Sequence, residues 1–257
     1  MTILEQIIAY KRSEVIETEE KIPLDILIKQ PLYNRSTYSL KDNVLKGSGI
    51  IAEFKRKSPS KGNINTISKV VDVVTNYEKC GVSGVSVLTD SYFFGGSNED
   101  MFQARKAIQI PILRKDFIIS PYQIHQAKAI GADAILLIAS VLTKKEIKQF
   151  TILAHQLKLE VLLEIHKEDE LEKFSENVDL VGINNRNLKT FKVDFKNAID
   201  LSKKLPKQIV KIAESGIKSP KDIQTLKQKG FQGFLIGETF MKTKNPGKTC
   251  CDFLKKI

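Results

Sequence analysis

The sequence predicts an α/β fold, a (β/α)8 TIM barrel with an N-terminal helical extension, and three observations carry that prediction. From residue 49 onward, short β-branched apolar runs alternate with longer amphipathic stretches, the pattern of repeated βα units around a parallel sheet. The runs number eight, at 50–55, 84–89, 112–115, 134–138, 160–164, 180–184, 210–214 and 233–236. No Gly-x-Gly-x-x-Gly follows the first of them, so a closed barrel is favoured over an open doubly wound sheet for a chain of 257 residues.

Each element has a local reason. Ile3, Ile7 and Ile8 recur at helical spacing with Tyr10 nearby, which predicts one amphipathic helix packed on the barrel; Pro23 and Pro31 bracket a second, shorter segment. Nothing in residues 1–48 reads as a low-complexity linker, so the extension and barrel are read as one domain over 1–257. The first strand ends in Glu53 and Lys55, and alternation points both ionisable groups to the same side before the chain enters a Ser/Pro/Gly turn at 58–62. A buried carboxylate and ammonium are costly unless paired, so the pair is either an internal ion pair or part of a pocket. Helices are expected at 68–80, 120–130, 143–157 and 219–229, opened by Ser68, Ser120, Thr143 and Ser219 as N-caps. Gly81, Gly131 and Gly230 follow three of them, where glycine relieves a left-handed backbone.

Composition narrows the partners. Lys plus Arg number 41 against 30 Asp plus Glu, a net charge of +11 that favours anionic partners, either nucleic acid or a phosphorylated metabolite. The lysines are spread singly along helical segments, as at Lys144, Lys145, Lys148 and Lys158, without interleaved aromatics, which favours a solvated surface and argues against nucleic-acid binding. The three cysteines are an odd count, and Cys250 and Cys251 are neighbours poorly placed to bridge each other, which reads as a reducing, cytoplasmic setting. No apolar stretch approaches the roughly 20 residues needed to span a bilayer, and the charged N-terminus has no signal-like core. His125, His155 and His166 lack neighbours at metal-ligand spacing, so no metal is expected.

In a barrel the chemistry sits at the C-terminal strand ends, and here those ends are unusually polar. They offer Glu53 and Lys55, Thr89 and Asp90, Lys115 and Asp116, Glu164, Asn184 and Arg186, and Glu214. Convergence of so many ionisable groups on one mouth exceeds what stability requires. The last two βα turns, Ser215-Gly216-Ile217 and Gly237-Glu238, supply small residues and free backbone N–H groups where barrels often bind phosphate.

These residues also carry a resemblance. Ile51-Ala52-Glu53-Phe54-Lys55-Arg56-Lys57-Ser58-Pro59-Ser60-Lys61-Gly62, the run from Val87 to Ser97, and Leu113-Arg114-Lys115-Asp116-Phe117 are similar to the indole-3-glycerol phosphate synthase family. The likeness continues through Leu162 to His166, Gly182 to Leu188, Ala213 to Ile217 and Leu235 to Glu238, and so covers essentially the whole chain. It implies ring closure, decarboxylation and dehydration of 1-(2-carboxyphenylamino)-1-deoxyribulose 5-phosphate, with neither cofactor nor metal. By the same resemblance Lys115 matches the ammonium that protonates the ketone oxygen, and Lys55 the one that engages the anthranilate carboxylate. Glu164 is the better candidate for proton transfer in dehydration and Glu53, held by Asn184, the second; Arg186 and Glu214 would hydrogen-bond the substrate. The phosphate grip maps onto Ser215, Gly216, Gly237 and Glu238 with Ser58 close by, and Phe94, Phe117 and Leu188 match the apolar slot for the aromatic ring. Glu238 departs from relatives with serine there and is expected to use only its backbone N–H, since an inward carboxylate would repel phosphate. The chain has no tryptophan, which leaves the lid of the slot open.

The partner expected is a small sugar phosphate, for a cytoplasmic enzyme acting as a monomer, with association with other tryptophan-pathway enzymes left open. A barrel like phosphoribosylanthranilate isomerase would share the two phosphate turns, but would not need Glu53, Lys55, Lys115 and Glu164 together. The cysteine and aspartate pair such enzymes use cannot be placed at the matching strand ends.

Overall fold

The computed structural model describes residues 1–186 and 193–257, and its eight long strands close on themselves as expected. β1 (Ile50–Phe54) leads into a loop folded by a small antiparallel pair, β2 (Lys57–Ser58) and β3 (Gly62–Asn63). The barrel continues through β4 (Gly84–Leu88), β5 (Ile112–Lys115), β6 (Ala134–Ile138), β7 (Glu160–Ile165), β8 (Leu180–Asn184), β9 (Val210–Glu214) and β10 (Gly233–Ile236), all parallel. Closure is made by β1, which pairs Ile50 with Phe234 of β10 on one side and Ile51 with Gly84 of β4 on the other.

Strand alternation divides the core in two. Ile51, Leu113, Leu136, Leu162, Ile212 and Leu235 fill the barrel interior, while their neighbours Ile50, Val85, Ile135, Val161 and Val181 face the helices. The N-terminal segment supplies α1 (Ile3–Lys21), the short α2 (Leu24–Leu27) and α3 (Leu40–Lys46). α1 buries Ile7, Lys11 and Val15, so its inward stripe is not wholly apolar, and Ile8 is only half-buried. α3 closes the end of the barrel opposite the strand C-termini: Leu40 and Val44 join the interior cluster, and the first residue of β4, Gly84, leaves room for Leu40.

Around the barrel run α4 (Val70–Lys79), α5 (Asn98–Ala107), α6 (Pro121–Ala129), α7 (Lys144–Gln156), a 3-10 turn at Glu168–Lys173, α8 (Phe195–Lys204), α9 (Pro220–Gln228), α10 (Glu238–Met241) and α11 (Pro246–Leu254). Ser120, Thr143 and Ser219 are N-caps with reciprocal capping boxes, as their spacing to Gln123, Glu146 and Asp222 allows. Ser68 is not: α4 starts from Lys69 without a side-chain cap, and Ser68 belongs to the preceding turn, where its N–H donates to Asn65 Oδ1 at 3.0 Å. Gly81, Gly131 and Gly230 all take positive φ after their helices.

The cysteines make a pairing that the sequence reading did not anticipate. Cys80, after α4, and Cys251, in α11, form a disulfide across a Cα separation of 4.9 Å, while Cys250 is buried and free. The partners lie 171 residues apart and meet only because closure sets the first and last barrel helices side by side, which residue spacing does not reveal. No helix among the described residues is long and apolar enough to cross a membrane.

Candidate active site

The strand C-termini open into a cavity of about 530 Å³. Its lining includes Glu53, Lys55, Ser58, Phe94, Lys115, Phe117, Glu164, Asn184, Arg186, Glu214, Ser215, Gly216, Gly237 and Glu238, whereas Thr89 and Asp90, also at a strand end, are buried outside it. Leu188 lies outside the described residues. The extension contributes Ile3, Leu4 and Ile7 to the same wall.

At the floor, the Lys115 ammonium sits among three carboxylates: Glu214 Oε2 at 3.1 Å, Glu164 Oε2 at 3.6 Å and Glu53 Oε2 at 3.8 Å. Burial favours the neutral amine, but the three carboxylates outweigh it and hold Lys115 charged well above the usual lysine range. Lys55, just past the end of β1, meets Glu53 Oε1 at 2.6 Å, as alternation requires. Glu53 is held by these two lysines rather than by Asn184, whose Oδ1 instead accepts the Arg186 N–H at 3.0 Å. Burial would raise Glu53, yet Lys55 and Lys115 keep it below its ordinary value.

Glu164 and Glu214 divide one proton between them. Burial pushes Glu214 up, and with Glu164 beside it, its carboxyl reaches about 8 despite Lys115. Glu164 is also buried, but Lys115 and His166 together keep it well below the usual carboxylate range. At neutral pH the proton therefore rests on Glu214 and the charge on Glu164.

Several residues of this arrangement were not singled out from sequence. His166 Nε2 lies 3.2 Å from Glu164 Oε1, and although burial alone would lower it, Glu164 and Glu170 raise it to about 10. Gly182 of β8 gives Glu214 its space, since a Cβ there would stand 1.9 Å from Oε1; Gly237, already assigned to the phosphate turn, does the same for Glu53 at 2.5 Å. Asn185 donates its side-chain amide to the carbonyls of Glu214 and Ser215 at 2.7 and 2.9 Å. That pins the backbone where Ser215, at φ +66°, takes the left-handed conformation ahead of Gly216 at φ +78°. Glycines facing carboxylates and an asparagine in a polar strand end have no spacing signal of their own.

At the opposite rim, the N–H groups of Gly216 and Glu238 have no protein acceptor among the described residues. The Glu238 carboxylate lies between Arg186 Nη2 at 3.4 Å and Lys61 Nζ at 3.6 Å. Two cations neutralise the repulsion that an inward acid would otherwise exert. In the same cavity wall the Phe94 and Phe117 rings lie next to each other, tilted by 38° with centroids 6.0 Å apart. The site thus combines a proton-transfer cluster, an apolar slot and a cationic rim.

Residues 4–253 match the family model described as indole-3-glycerol phosphate synthase. A protein of that name from Bacteroides thetaiotaomicron is 47% identical over 256 residues, covering 99% of this chain and 98% of that protein. Another, from Caldanaerobacter subterraneus subsp. tengcongensis, is 43% identical over 257 residues, covering 99% and 98%. Among solved structures, a tryptophan synthase alpha chain from Legionella pneumophila superposes with a TM-score of 0.62 at 10% identity, over 86% of this chain and 96% of that one. That last likeness is of fold alone.

Proposed function

The chain belongs to the indole-3-glycerol phosphate synthase family, and on that premise we propose how its strand-end residues carry the reaction. The enzyme is a carboxy-lyase of tryptophan biosynthesis that converts 1-(2-carboxyphenylamino)-1-deoxyribulose 5-phosphate to indole-3-glycerol phosphate, carbon dioxide and water. The observation that carries the residue assignment is Lys115 at the centre of Glu53, Glu164 and Glu214.

The aromatic ring packs against the adjoining Phe94 and Phe117 rings, with Leu188 assigned to the same slot by the family pattern. Lys55 receives the ring carboxylate, and Ser58, Ser215, Gly216, Gly237 and Glu238 surround the phosphate, held by backbone N–H groups and by Arg186. Ring closure joins the carboxylate-bearing ring carbon to the ketone carbon, and the ketone oxygen gains the charge that Lys115 meets with a proton. Loss of carbon dioxide returns its bonding pair to the ring. The new hydroxyl then leaves as water with a proton from the Glu164/Glu214 pair, and a neighbouring carbon gives up a proton to a carboxylate, Glu53 or the ionised member of that pair. Asn184 orders the Arg186 backbone.

All these residues come from one chain, which supports action as a monomer; association with other enzymes of the pathway stays open to the same tests. The extension, bound through Leu40, Val44 and Lys11, supports reading 1–257 as one domain. A diffusible sugar-phosphate substrate supports a cytoplasmic setting, where the Cys80–Cys251 pair would be held reduced. The test is a fluorescence assay for the indole product from the carboxyphenylamino substrate: product formation by the wild-type chain and its loss in Lys115→Met are expected, and product formation by Lys115→Met at the wild-type rate refutes the assignment.

A further inference from the structure

The reaction makes no use of Lys11, yet this residue occupies the costliest environment in the N-terminal helix. It lies on α1, outside the barrel strands, and is 1% exposed. Its Nζ is 2.8 Å from Glu14 Oε2, 3.0 Å from Asp90 Oδ2 and 2.9 Å from Asp116 Oδ1. Burying an ammonium costs several kcal/mol unless carboxylates repay it, and these do: burial lowers Lys11, but Asp116, Asp90 and Glu14 outweigh it and keep the group charged.

The two aspartates each organise a loop of the active site. Asp90, at the end of β4, accepts the N–H groups of Phe93 and Phe94 on Oδ1 at 2.8 and 3.2 Å and gives Oδ2 to Lys11. Asp116, directly after Lys115, accepts the Phe117 N–H on Oδ1 at 2.8 Å, while its Oδ2 takes Thr89 Oγ1 at 2.5 Å and Arg114 Nη2 at 3.1 Å. One ammonium therefore joins the backbone turns that present Phe94 and Phe117, the tilted pair of rings whose centroids lie 6.0 Å apart. From the same helix Ile3, Leu4 and Ile7 reach the cavity wall.

We propose that Lys11 is a positioning residue for the aromatic slot: by bridging Asp90 and Asp116 it sets the spacing of Phe94 and Phe117, and so governs affinity for the ring end of the substrate without acting on the phosphate end. The proposal rests on the assignment of these two rings to the slot. An ammonium that only glued the helix to the barrel would be equivalent to apolar packing, and the helix offers that comparison in Val15, which is buried and makes no ion pair.

The experiment uses the full chain and three variants. In Lys11→Met, KM for the carboxyphenylamino substrate should rise by about tenfold or more, the loss expected when aromatic contacts are misplaced, with kcat changed far less. Inhibition by inorganic phosphate, which engages only the rim, should stay at its wild-type strength. Val15→Ala should lower the melting temperature without separating KM from phosphate inhibition. Should Lys11→Met fold poorly, Lys11→Met combined with Asp90→Asn removes the uncompensated charge while keeping an acceptor for Phe93 and Phe94, and should restore the fold but not the KM. An unchanged KM in folded Lys11→Met overturns the proposal, and so does a loss of phosphate inhibition in parallel with KM, or the same KM shift in Val15→Ala. Absence of indole formation by the wild-type chain would instead strike the assigned reaction, which keeps the two failures apart.

Discussion

Gly182 offers a sharp test of the carboxylate cluster, because replacing it touches no catalytic group by chemistry, only by volume. A Cβ added there stands 1.9 Å from Glu214 Oε1 and 3.0 Å from its Cδ, with Leu162 Cδ1 at 3.5 Å behind. Regaining an ordinary contact of 3.4 Å needs a shift of 3.4 − 1.9 = 1.5 Å. The backbone of Glu214 cannot supply it, since that residue pairs with Asn184 in the ladder and its carbonyl accepts the Asn185 N–H at 2.8 Å. The side chain must move, and the 3.1 Å contact with Lys115 goes with it. A misplacement of about 1 Å costs on the order of 100-fold in rate, so Gly182→Ala should lower kcat by about that factor, or about 2.7 kcal/mol. Overpacking should also cost about 1–3 kcal/mol of stability, a melting decrease of roughly 2–10 °C for a chain of this size. The assay is indole fluorescence alongside thermal melting, repeated with Glu214→Ala, where the collision is gone and the stability cost of Gly182→Ala should vanish. A Gly182→Ala enzyme with wild-type kcat and melting temperature would refute this reasoning.

Lys115→Met and Glu164→Gln should each reduce kcat by about 100-fold to 10,000-fold while product affinity changes far less, measured by steady-state kinetics and product inhibition; equal losses in both would make the residue a positioning group. Because the Glu214 carboxyl titrates at about 8, kcat/KM should fall as pH rises through that value, whereas Glu214→Gln should flatten this limb. Gly216→Leu should raise KM strongly, since a Cβ there already meets Val193 Cγ1 at 2.2 Å, while Glu238→Ser should keep turnover; loss of catalysis in Glu238→Ser would give that carboxylate more than the charge-balancing role described here. Purified under oxidising conditions, the chain should show one free thiol after denaturation and three after reduction, with a lower melting temperature when reduced; three thiols without reductant would show the Cys80–Cys251 bridge unformed.

The barrel was legible because its signals are local and repeated: a β-branched run, a cap, an amphipathic stretch and a glycine recur along the chain, and closure follows from their number. Site residues were legible for the same reason, since strand ends are found by counting and Glu53, Lys115, Glu164 and Glu214 are polar where a core strand should be apolar. What escaped depends on contacts between distant segments. The Cys80–Cys251 bridge needs the first and last helices to be neighbours, and the role of Gly182 needs Glu214 to face it from the next strand. Lys11 interrupts an otherwise apolar helical stripe, a signal that marks a buried charge but not its partners. Glu238 was read from its own charge alone, and its ion pairs were not foreseen because Lys61 and Arg186 lie on two other loops.

The distribution of charge explains how a floor lined by glutamates accepts a substrate that is itself an anion at both ends. With Glu214 protonated, Lys55, Lys115 and His166 are matched by Glu53, Glu164 and Glu170, so the cluster carries no net charge at neutral pH. At the rim, Lys61 and Arg186 are set against Glu238 alone. Each end of the cavity therefore offers a cation whose partner carboxylate can be displaced by an incoming anion, the ring carboxylate at the charge-balanced floor and the phosphate at the rim, where one cation is in surplus. The exchange replaces one ion pair by another instead of stripping water from an unpaired charge, which keeps the desolvation cost of binding small. The same balance ties binding to proton supply. Loss of the Glu214 proton above about pH 8 leaves the floor net negative and removes the donor for dehydration together, so KM should rise and kcat should fall over the same pH interval.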